Sequence, residues 1–167
     1  MISDDIDRLL WWAIDGVLAG MPMPYVNPER RMNLGGGLHD YVGELPVLHR
    51  AGIRAVVSLL NTPSDDAVFT SAGFEYRCLP VAYGLAPSLE QAKAIVDLID
   101  VCRQQSLPVA VHCEGGLGRT GTAIAAYFIH IGMSAREAIT FVRSKEPSAI
   151  ETVQQIRFLE DFERSHP

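Results

Sequence analysis

Short apolar runs separated by polar and by glycine- or proline-rich stretches predict a series of buried β-strands along the chain. A pair of strands is expected within Trp12–Gly20, and continuous apolar runs predict further strands at Ile53–Leu60 and Leu107–Val111. Imperfect alternation of apolar and polar residues predicts another strand at Phe74–Val81. Residues Met21–Asp40 contain several prolines and a run of consecutive glycines, which disfavour regular structure, so a long loop is predicted there.

Amphipathic spacing and N-terminal capping motifs predict the helices that connect these strands. Ser88 and Ser134 each begin a capping box, in which a serine is followed three residues later by Gln or Glu. Helices are therefore expected at residues 41–50, 88–105, 122–129, 134–146 and 152–164. The resulting order is two strands, helix, strand, strand, helix, strand, glycine-rich loop and three helices. Alternation of this kind predicts one α/β domain over residues 1–167, with a central sheet flanked by helices.

Composition narrows the range of partners and compartments. The 167 residues are 48% hydrophobic and 20% charged, which suits a globular domain, and the net charge is -6. Nucleic acid is not an expected partner, since duplex binding needs a basic surface. The chain shows no signal-peptide layout and no apolar run of the ~18 residues that a membrane span requires, so no membrane association is expected. Three cysteines, an odd number, argue against a disulfide framework and favour a reducing, cytoplasmic setting.

The segment His112–Gly121, with the sequence His-Cys-Glu-Gly-Gly-Leu-Gly-Arg-Thr-Gly, joins a predicted strand to a predicted helix. A glycine-rich turn at a helix N-terminus presents backbone N–H groups and partial positive charge to an anion. Arg119 adds a planar guanidinium that can grip two phosphate oxygens. In that field we expect Cys113 to have a depressed pKa and to react as a thiolate, with His112 helping to hold the loop. These residues predict a site in which sulfur attacks a phosphate monoester.

A purely structural role has to be weighed against this interpretation. A cysteine on a core strand is more often an inert small hydrophobe, and we interpret Cys78 and Cys102 in that way. The combination of Cys113, five residues, Arg119 and then Thr-Gly at a strand-to-helix junction is far rarer, and it favours catalysis. No cluster of His, Cys and Asp in the sequence suggests a metal site, and no cofactor is expected.

The pattern His-Cys-x5-Arg-Thr-Gly resembles the signature of the cysteine-dependent protein tyrosine phosphatases. As a whole, the chain is similar to the small atypical dual-specificity (VH1-like) branch of that superfamily. The resemblance implies a tyrosine-phosphatase-like fold with a central, mostly parallel sheet. Weaker matches outside the signature are found at Trp12–Gly20, Gly52–Leu60, Ser148–Thr152 and Gln154-Gln155.

The resemblance also implies a two-step reaction through a cysteinyl-phosphate on Cys113. Thr120 would donate its hydroxyl to the sulfur when the sulfur leaves in the second step. Glu151, which as a plain alternative caps a helix start, would lie with Gln155 near the loop and orient the hydrolytic water or His112. The phosphate oxygens would be held by Arg119 and by backbone amides of the loop, whose residues are Glu114, Gly115, Gly116, Leu117, Gly118 and Arg119.

The chain departs from the family pattern at Tyr83, the position that aligns with the aspartic acid that protonates the leaving group. A phenol with a pKa of about 10 is a poor acid for neutral-pH chemistry. Loss of a general acid costs about 100- to 10,000-fold, most for alkyl leaving groups, so Tyr83→Asp is expected to raise turnover. Asp65, Asp66 or Glu114 are other candidate acids. Alternatively, Asp65-Asp66 simply begin a helix and Tyr83 is an ordinary loop residue.

The expected substrate is a phosphorylated protein or a small phosphate monoester, with phosphotyrosine first and phosphoserine or phosphothreonine as further candidates, acted on by a monomer. Tyr25, Arg30 and Arg31 are candidate substrate contacts, although ordinary surface charge explains the two arginines equally well. The loop contains no lysine, which argues against phosphoinositides, although cysteine phytases share the His-Cys-Glu sequence. Two other functions are open: a phosphate-binding module or pseudophosphatase with residual catalysis, and rhodanese-like sulfur transfer. The second ranks far behind because rhodanese loops lack this signature.

Overall fold

A computed structural model describes residues 9–24, 45–61 and 66–166, and in them five strands form one sheet. β1 and β2 pair antiparallel, while β2–β5, β5–β3 and β3–β4 pair parallel, in the spatial order β1-β2-β5-β3-β4. The predicted central, mostly parallel sheet is therefore confirmed. The strands are β1 (Trp11–Ile14), β2 (Leu18–Met21), β3 (Ala55–Ser58), β4 (Glu75–Cys78) and β5 (Val109–His112).

Helices follow the strands, and residues 45–50 are also helical. The capping boxes at Ser88 and Ser134 are formed as predicted, and a third joins Thr152 to Gln155. The helices are α1 (Asp66–Ser71), α2 (Leu89–Gln104), α3 (Gly118–His130), α4 (Ala135–Lys145) and α5 (Val153–Ser165).

One element and one boundary differ from the expectation. Helix α1 is absent from the predicted order, because six residues with Phe69 as their one buried side chain are too few to show a helical period. Its start at Asp66 agrees with the alternative in which Asp65-Asp66 begin a helix. Helix α3 begins at Gly118 instead of residue 122, since the glycine-rich loop turns directly into its first turn. The candidate acid Asp65 and the candidate contacts Tyr25, Arg30 and Arg31 lie outside the described residues.

Apolar side chains cover both faces of the sheet. One core cluster joins the sheet to α2, α3, α4 and α5, with Ile99, Tyr127 and Leu159 among its buried members. The other joins the opposite face to residues 45–50 and α1 through Leu48 and Phe69. Residues 118–129 of α3 are all buried, which fits the continuous apolar run from Ala123 to Ile129.

The strand order brings the loops after three parallel strands to one edge of the sheet. Met21 at the end of β2 and Ser58 at the end of β3 both lie opposite His112 at the end of β5. The carboxyl ends of parallel strands are where ligands bind in open α/β sheets, and the signature loop begins at this edge. In the described part of the chain, no helix combines the length and apolar character needed to cross a membrane.

Candidate active site

The loop after β5, residues 113–119, forms a cradle in which two backbone carbonyls accept hydrogen bonds from neighbouring segments. The Glu114 carbonyl accepts a hydrogen bond from the Met23 amide at 3.0 Å, and the Gly116 carbonyl accepts one from Trp11 Nε1 at 3.1 Å. Gly116 has a φ of +72°, and a Cβ there would lie 2.3 Å from the Met21 carbonyl carbon, so the loop requires glycine. Within the described residues, no hydrogen bond engages the amides of residues 114–119. These amides therefore remain available to an anion.

Cys113 lies at the bottom of this cradle with 3% of its surface exposed. Thr120, in the first turn of α3, is fully buried, and its hydroxyl donates to Cys113 Sγ at 3.1 Å. The sulfur opens onto a cavity of about 260 Å³. The cavity is lined by Tyr83, Gly84, Cys113, Gly115, Leu117, Arg119, Glu151, Thr152 and Gln155.

Arg119 enters the cavity from the start of α3 and is held at one end of its guanidinium. Nη1 donates to the Val81 carbonyl at 2.9 Å and to the Leu59 carbonyl at 3.4 Å. Among the described residues, no carboxylate forms an ion pair with Arg119. An arginine carries five N–H donors, so the remaining ones can meet the oxygens of a bound phosphate.

His112 supports the backbone beside the cysteine. Its ring is fully buried at the end of β5, and Nδ1 lies 3.0 Å from the Cys113 carbonyl. Because a carbonyl oxygen can only accept, the proton of this hydrogen bond belongs to Nδ1. The ring centroid of Phe69 lies 6.0 Å away and helps to enclose the imidazole. This contact places His112 where it can hold the start of the loop.

The opposite wall of the cavity comes from the segment before α5. Glu151 lies so close to the loop that a Cβ on Gly118 would approach its Oε2 to 2.3 Å. Gln155 is 1% exposed, and its Oε1 accepts from the amides of Glu151 at 2.8 Å and Thr152 at 3.1 Å. Gln155 Nε2 donates to the Leu85 carbonyl at 3.3 Å, which ties α5 to the segment that carries Tyr83.

Tyr83 stands at the mouth of the cavity with 78% of its surface exposed. Its ring faces Arg119, whose Cζ lies 5.3 Å from the ring centroid, a cation–π arrangement. Of the other candidate acids, Glu114 is exposed and Asp66 begins α1, and neither lines the cavity. Among the described residues that line the cavity, Glu151 is the only carboxylic acid.

The remaining cysteines lie away from the cavity. Burial, followed by the nearby Glu75 carboxylate, raises the pKa of the Cys102 thiol above its usual value, whereas Arg77 has a smaller opposing effect. Cys78 donates to the Leu60 carbonyl at 3.4 Å. Neither is in a disulfide, which fits the structural interpretation made for both. The described residues bring together no group of three or more His, Cys, Asp or Glu side chains that could hold a metal ion.

Trp11 is a site residue that sequence reasoning missed. It lies in β1, 105 positions before Gly116, whose carbonyl it binds. Its ring also lies against Gly20, where a Cβ would come within 2.1 Å of it. The sequence around Trp11 carries no local signal of this contact. The contact arises only because β1 pairs with β2 and β2 pairs with β5.

A family model for "Polymorphic toxin system, DSP-PTPase phosphatase" matches residues 32–133, which include the whole signature loop. The chain belongs to this DSP-PTPase phosphatase family. The resemblance seen in the sequence, to small atypical dual-specificity phosphatases of the cysteine-dependent superfamily, is thereby confirmed.

Curated relatives of this DSP-PTPase domain are larger proteins. Dual specificity protein phosphatase CDC14C of Symphalangus syndactylus is 33% identical in an alignment 134 positions long, which covers 78% of this chain and 27% of the relative. Protein tyrosine phosphatase domain-containing protein 1 of Mus musculus is 42% identical in an alignment 174 positions long, which covers 90% of this chain and 21% of the relative. The chain thus spans about a quarter of the length of such relatives.

A solved structure of similar size agrees with the fold. The crystal structure of Tk-PTP in its active form superposes with a TM-score of 0.77 at 31% sequence identity, covering 93% of this chain and 96% of Tk-PTP. The described sheet and helices are thus those of a single-domain tyrosine-phosphatase-like fold, as predicted.

Proposed function

We propose that this chain hydrolyses phosphate monoesters through a cysteinyl-phosphate, with phosphotyrosine in proteins as its first candidate substrate. The observation that carries the proposal is the hydrogen bond from Thr120 to Cys113 Sγ, at 3.1 Å, in a cavity that Arg119 also lines. The proposal takes residues 1–167 as one catalytic domain that acts as a monomer in a reducing, cytoplasmic setting.

In the first step, Cys113 Sγ attacks phosphorus, so that a P–S bond forms and the P–O bond to the leaving group breaks. Arg119 and the amides of residues 114–119 hold the three other phosphate oxygens. Holding the ester in line with the sulfur replaces a bimolecular encounter with a positioned one. His112 keeps the Cys113 carbonyl, and with it the start of the loop, in place.

The leaving oxygen needs a proton, and we assign its transfer to Glu151. Glu151 is the one carboxylic acid among the described cavity residues, whereas Tyr83 offers only a phenol. The family resemblance implies a role for Glu151 in the second step, and its place in the cavity supports proton transfer in both steps. Glu151 protonates the leaving oxygen and is then able, as a carboxylate, to accept a proton from water.

In the second step, that water attacks phosphorus, the P–S bond breaks, and inorganic phosphate leaves. The electron pair returns to sulfur, and the Thr120 hydroxyl stabilises the thiolate by donating to it. The proton lost by the water goes to Glu151, so the enzyme returns to its starting state. The overall reaction consumes one ester and one water and yields an alcohol or phenol and phosphate.

Hydrolysis of 4-nitrophenyl phosphate tests the proposal. The native chain is expected to release 4-nitrophenol in a vanadate-sensitive reaction, and Cys113→Ser is expected to abolish it. Cys78→Ser is the matched control, because Cys78 does not line the cavity and serine keeps a donor for the Leu60 carbonyl. Equal rates in native and Cys113→Ser protein would contradict the proposal.

A phosphate-binding module with crippled catalysis is the second candidate, and the exposed Tyr83 at the acid position favours it. A native chain that binds vanadate or phosphate but releases 4-nitrophenol barely faster than Cys113→Ser would support this alternative. A native chain that turns over far faster than Cys113→Ser would exclude it, since a binding module has no need of an efficient nucleophile.

A further inference from the structure

Arg143, on α4, binds two neighbouring backbone carbonyls in the segment just before Glu151, which lines the cavity. Its Nε donates to the Ala149 carbonyl at 3.1 Å and its Nη2 donates to the Ile150 carbonyl at 2.7 Å. The side chain is half-buried and lies outside the cavity lining. A guanidinium can hold two acceptors in a fixed relative orientation because its donors form a rigid fork.

The gripped segment has an uncommon backbone conformation. Ile150 has a φ of +62°, in the left-handed region that β-branched residues avoid, and its side chain is 1% exposed. Its amide donates to the Leu117 carbonyl in the signature loop at 3.2 Å. Strained residues of this kind persist when surrounding contacts over-determine them, and they cluster at functional sites. Arg143 on one side and Leu117 on the other supply those contacts.

Glu151 follows Ile150 directly, so the orientation of the Ile150 peptide determines where the Glu151 side chain begins. The Glu151 amide is bound by Gln155 at 2.8 Å, and its Oε2 lies against Gly118. Among the described residues, no ion pair or hydrogen bond holds the Glu151 carboxylate itself. Its position over the loop therefore depends on the backbone that carries it.

We infer that Arg143 is a positioning residue of the active site, which fixes the Ala149–Ile150 backbone so that Glu151 reaches the leaving oxygen. The inference rests on the proposed function, and specifically on proton transfer by Glu151. Arg143 itself touches neither the phosphate cradle nor the cavity, so its loss should slow proton transfer by Glu151 more than it weakens phosphate binding.

Comparing two substrates distinguishes a positioning role of Arg143 from a role in the overall stability of the protein. Phosphotyrosine leaves as a phenol with a pKa of about 10 and needs a proton, whereas 4-nitrophenyl phosphate has an activated leaving group that needs it far less. Arg143→Lys keeps the charge but cannot hold both carbonyls with one rigid fork. Since misplacing a catalytic group by about 1 Å costs up to about 100-fold, kcat for phosphotyrosine should fall by roughly 10- to 100-fold. KM should stay within about twofold, and the loss on 4-nitrophenyl phosphate should be clearly smaller.

The control is Arg136→Lys, an exposed arginine on the same helix, which should leave both substrates unaffected. A double-mutant cycle with Glu151→Gln completes the test: Arg143→Lys should cost little more once the carboxylic acid is gone. Additive losses in the cycle, or equal losses on the two substrates, would overturn the inference. Thermal unfolding identifies a variant that does not fold, and Arg143→Gln, which keeps one donor group, then replaces Arg143→Lys.

Failure of the inference and failure of the proposed function give different results. If the native chain shows no Cys113-dependent hydrolysis of either substrate, the proposed function is wrong. If native hydrolysis depends on Cys113 but Arg143→Lys matches Arg136→Lys, only the positioning role is wrong.

Discussion

The cavity around Cys113 has two sides that are built in different ways. The phosphate side is one continuous loop, residues 113–119, that runs straight into α3. The leaving-group side is assembled from residues 83–85 and 149–155, which lie far apart in the chain and meet through the hydrogen bond from Gln155 to the Leu85 carbonyl. The first side is mostly buried, whereas Tyr83 and Glu151 on the second are exposed.

This difference separates two kinds of functional effect. Groups on the phosphate side hold oxygens that every phosphate monoester shares, so their loss should slow all substrates alike. Groups on the leaving-group side act on the departing oxygen, whose need for a proton varies with its pKa. Substitutions there should slow substrates with poor leaving groups selectively. A side chain can therefore be assigned to one side by comparing two esters.

Arg119→Lys is expected to produce the largest effect on the phosphate side. Lysine carries a point charge that cannot replace the planar fork, and one ammonium cannot also satisfy the Val81 and Leu59 carbonyls. Loss of a preorganised donor costs about 100- to 1,000-fold, and kcat/KM should fall by that amount for phosphotyrosine and 4-nitrophenyl phosphate alike. Stopped assays of phosphate release on both substrates measure it. A loss of kcat/KM on only one of the two substrates would show that Arg119 acts on the leaving group instead of on the shared phosphate oxygens.

The phosphate side could be predicted from the sequence because its parts are adjacent in the chain. Cys113, the glycines, Arg119 and Thr120 fall within a few residues of one another, and the strand and helix on either side follow from apolar runs. The capping boxes at Ser88 and Ser134 are equally local. Local patterns predict structure well when all the interacting atoms belong to one short segment.

The leaving-group side could not be predicted in the same way. The approach of Glu151 and Gln155 to the loop was expected only from the family resemblance, and Arg143 and Trp11 were not expected at all. Their contacts depend on how α4, α5 and β1 pack, which no short pattern encodes. Helix α1 was expected only as the alternative to an acid role for Asp65-Asp66 and was left out of the predicted order, since Phe69 alone of its side chains is buried. Distant pairings become visible only once the sheet order is known.

Tyr83→Asp probes the leaving-group side, and Glu151→Gln gives the background in which its effect is clearest. Removing the proposed acid should lower phosphoserine turnover by about 100-fold, and an aspartic acid at the cavity mouth should restore about tenfold of that loss. Tyr83→Asn is the matched control, since it removes the ring and its contact with Arg119 without supplying an acid. Turnover of phosphoserine and 4-nitrophenyl phosphate should be measured for Glu151→Gln alone and for the two double variants. Restoration by Asn as well as Asp would mean that the tyrosine ring, rather than the missing acid, limits turnover.

Trp11→Phe should give the smallest effect of these substitutions. It tests the phosphate side, because Trp11 binds the Gly116 carbonyl of the loop. Phenylalanine keeps an aromatic ring against Gly20 but loses the N–H that binds the Gly116 carbonyl. A neutral hydrogen bond contributes about 1 kcal/mol, which corresponds to roughly fivefold in rate. Because the loss loosens the cradle, kcat/KM should fall about equally for phosphotyrosine and 4-nitrophenyl phosphate.

The neighbouring Trp12→Phe is the matched control for Trp11→Phe. Trp12 packs with the other core cluster, on the face of the sheet that carries Phe69, so its truncation affects stability without touching the loop. Both variants should lose some thermal stability, but only Trp11→Phe should lose activity at a temperature where both are folded. A loss on phosphotyrosine alone would show that Trp11 acts through the leaving-group wall, and the division of the cavity into two independent sides would then be wrong.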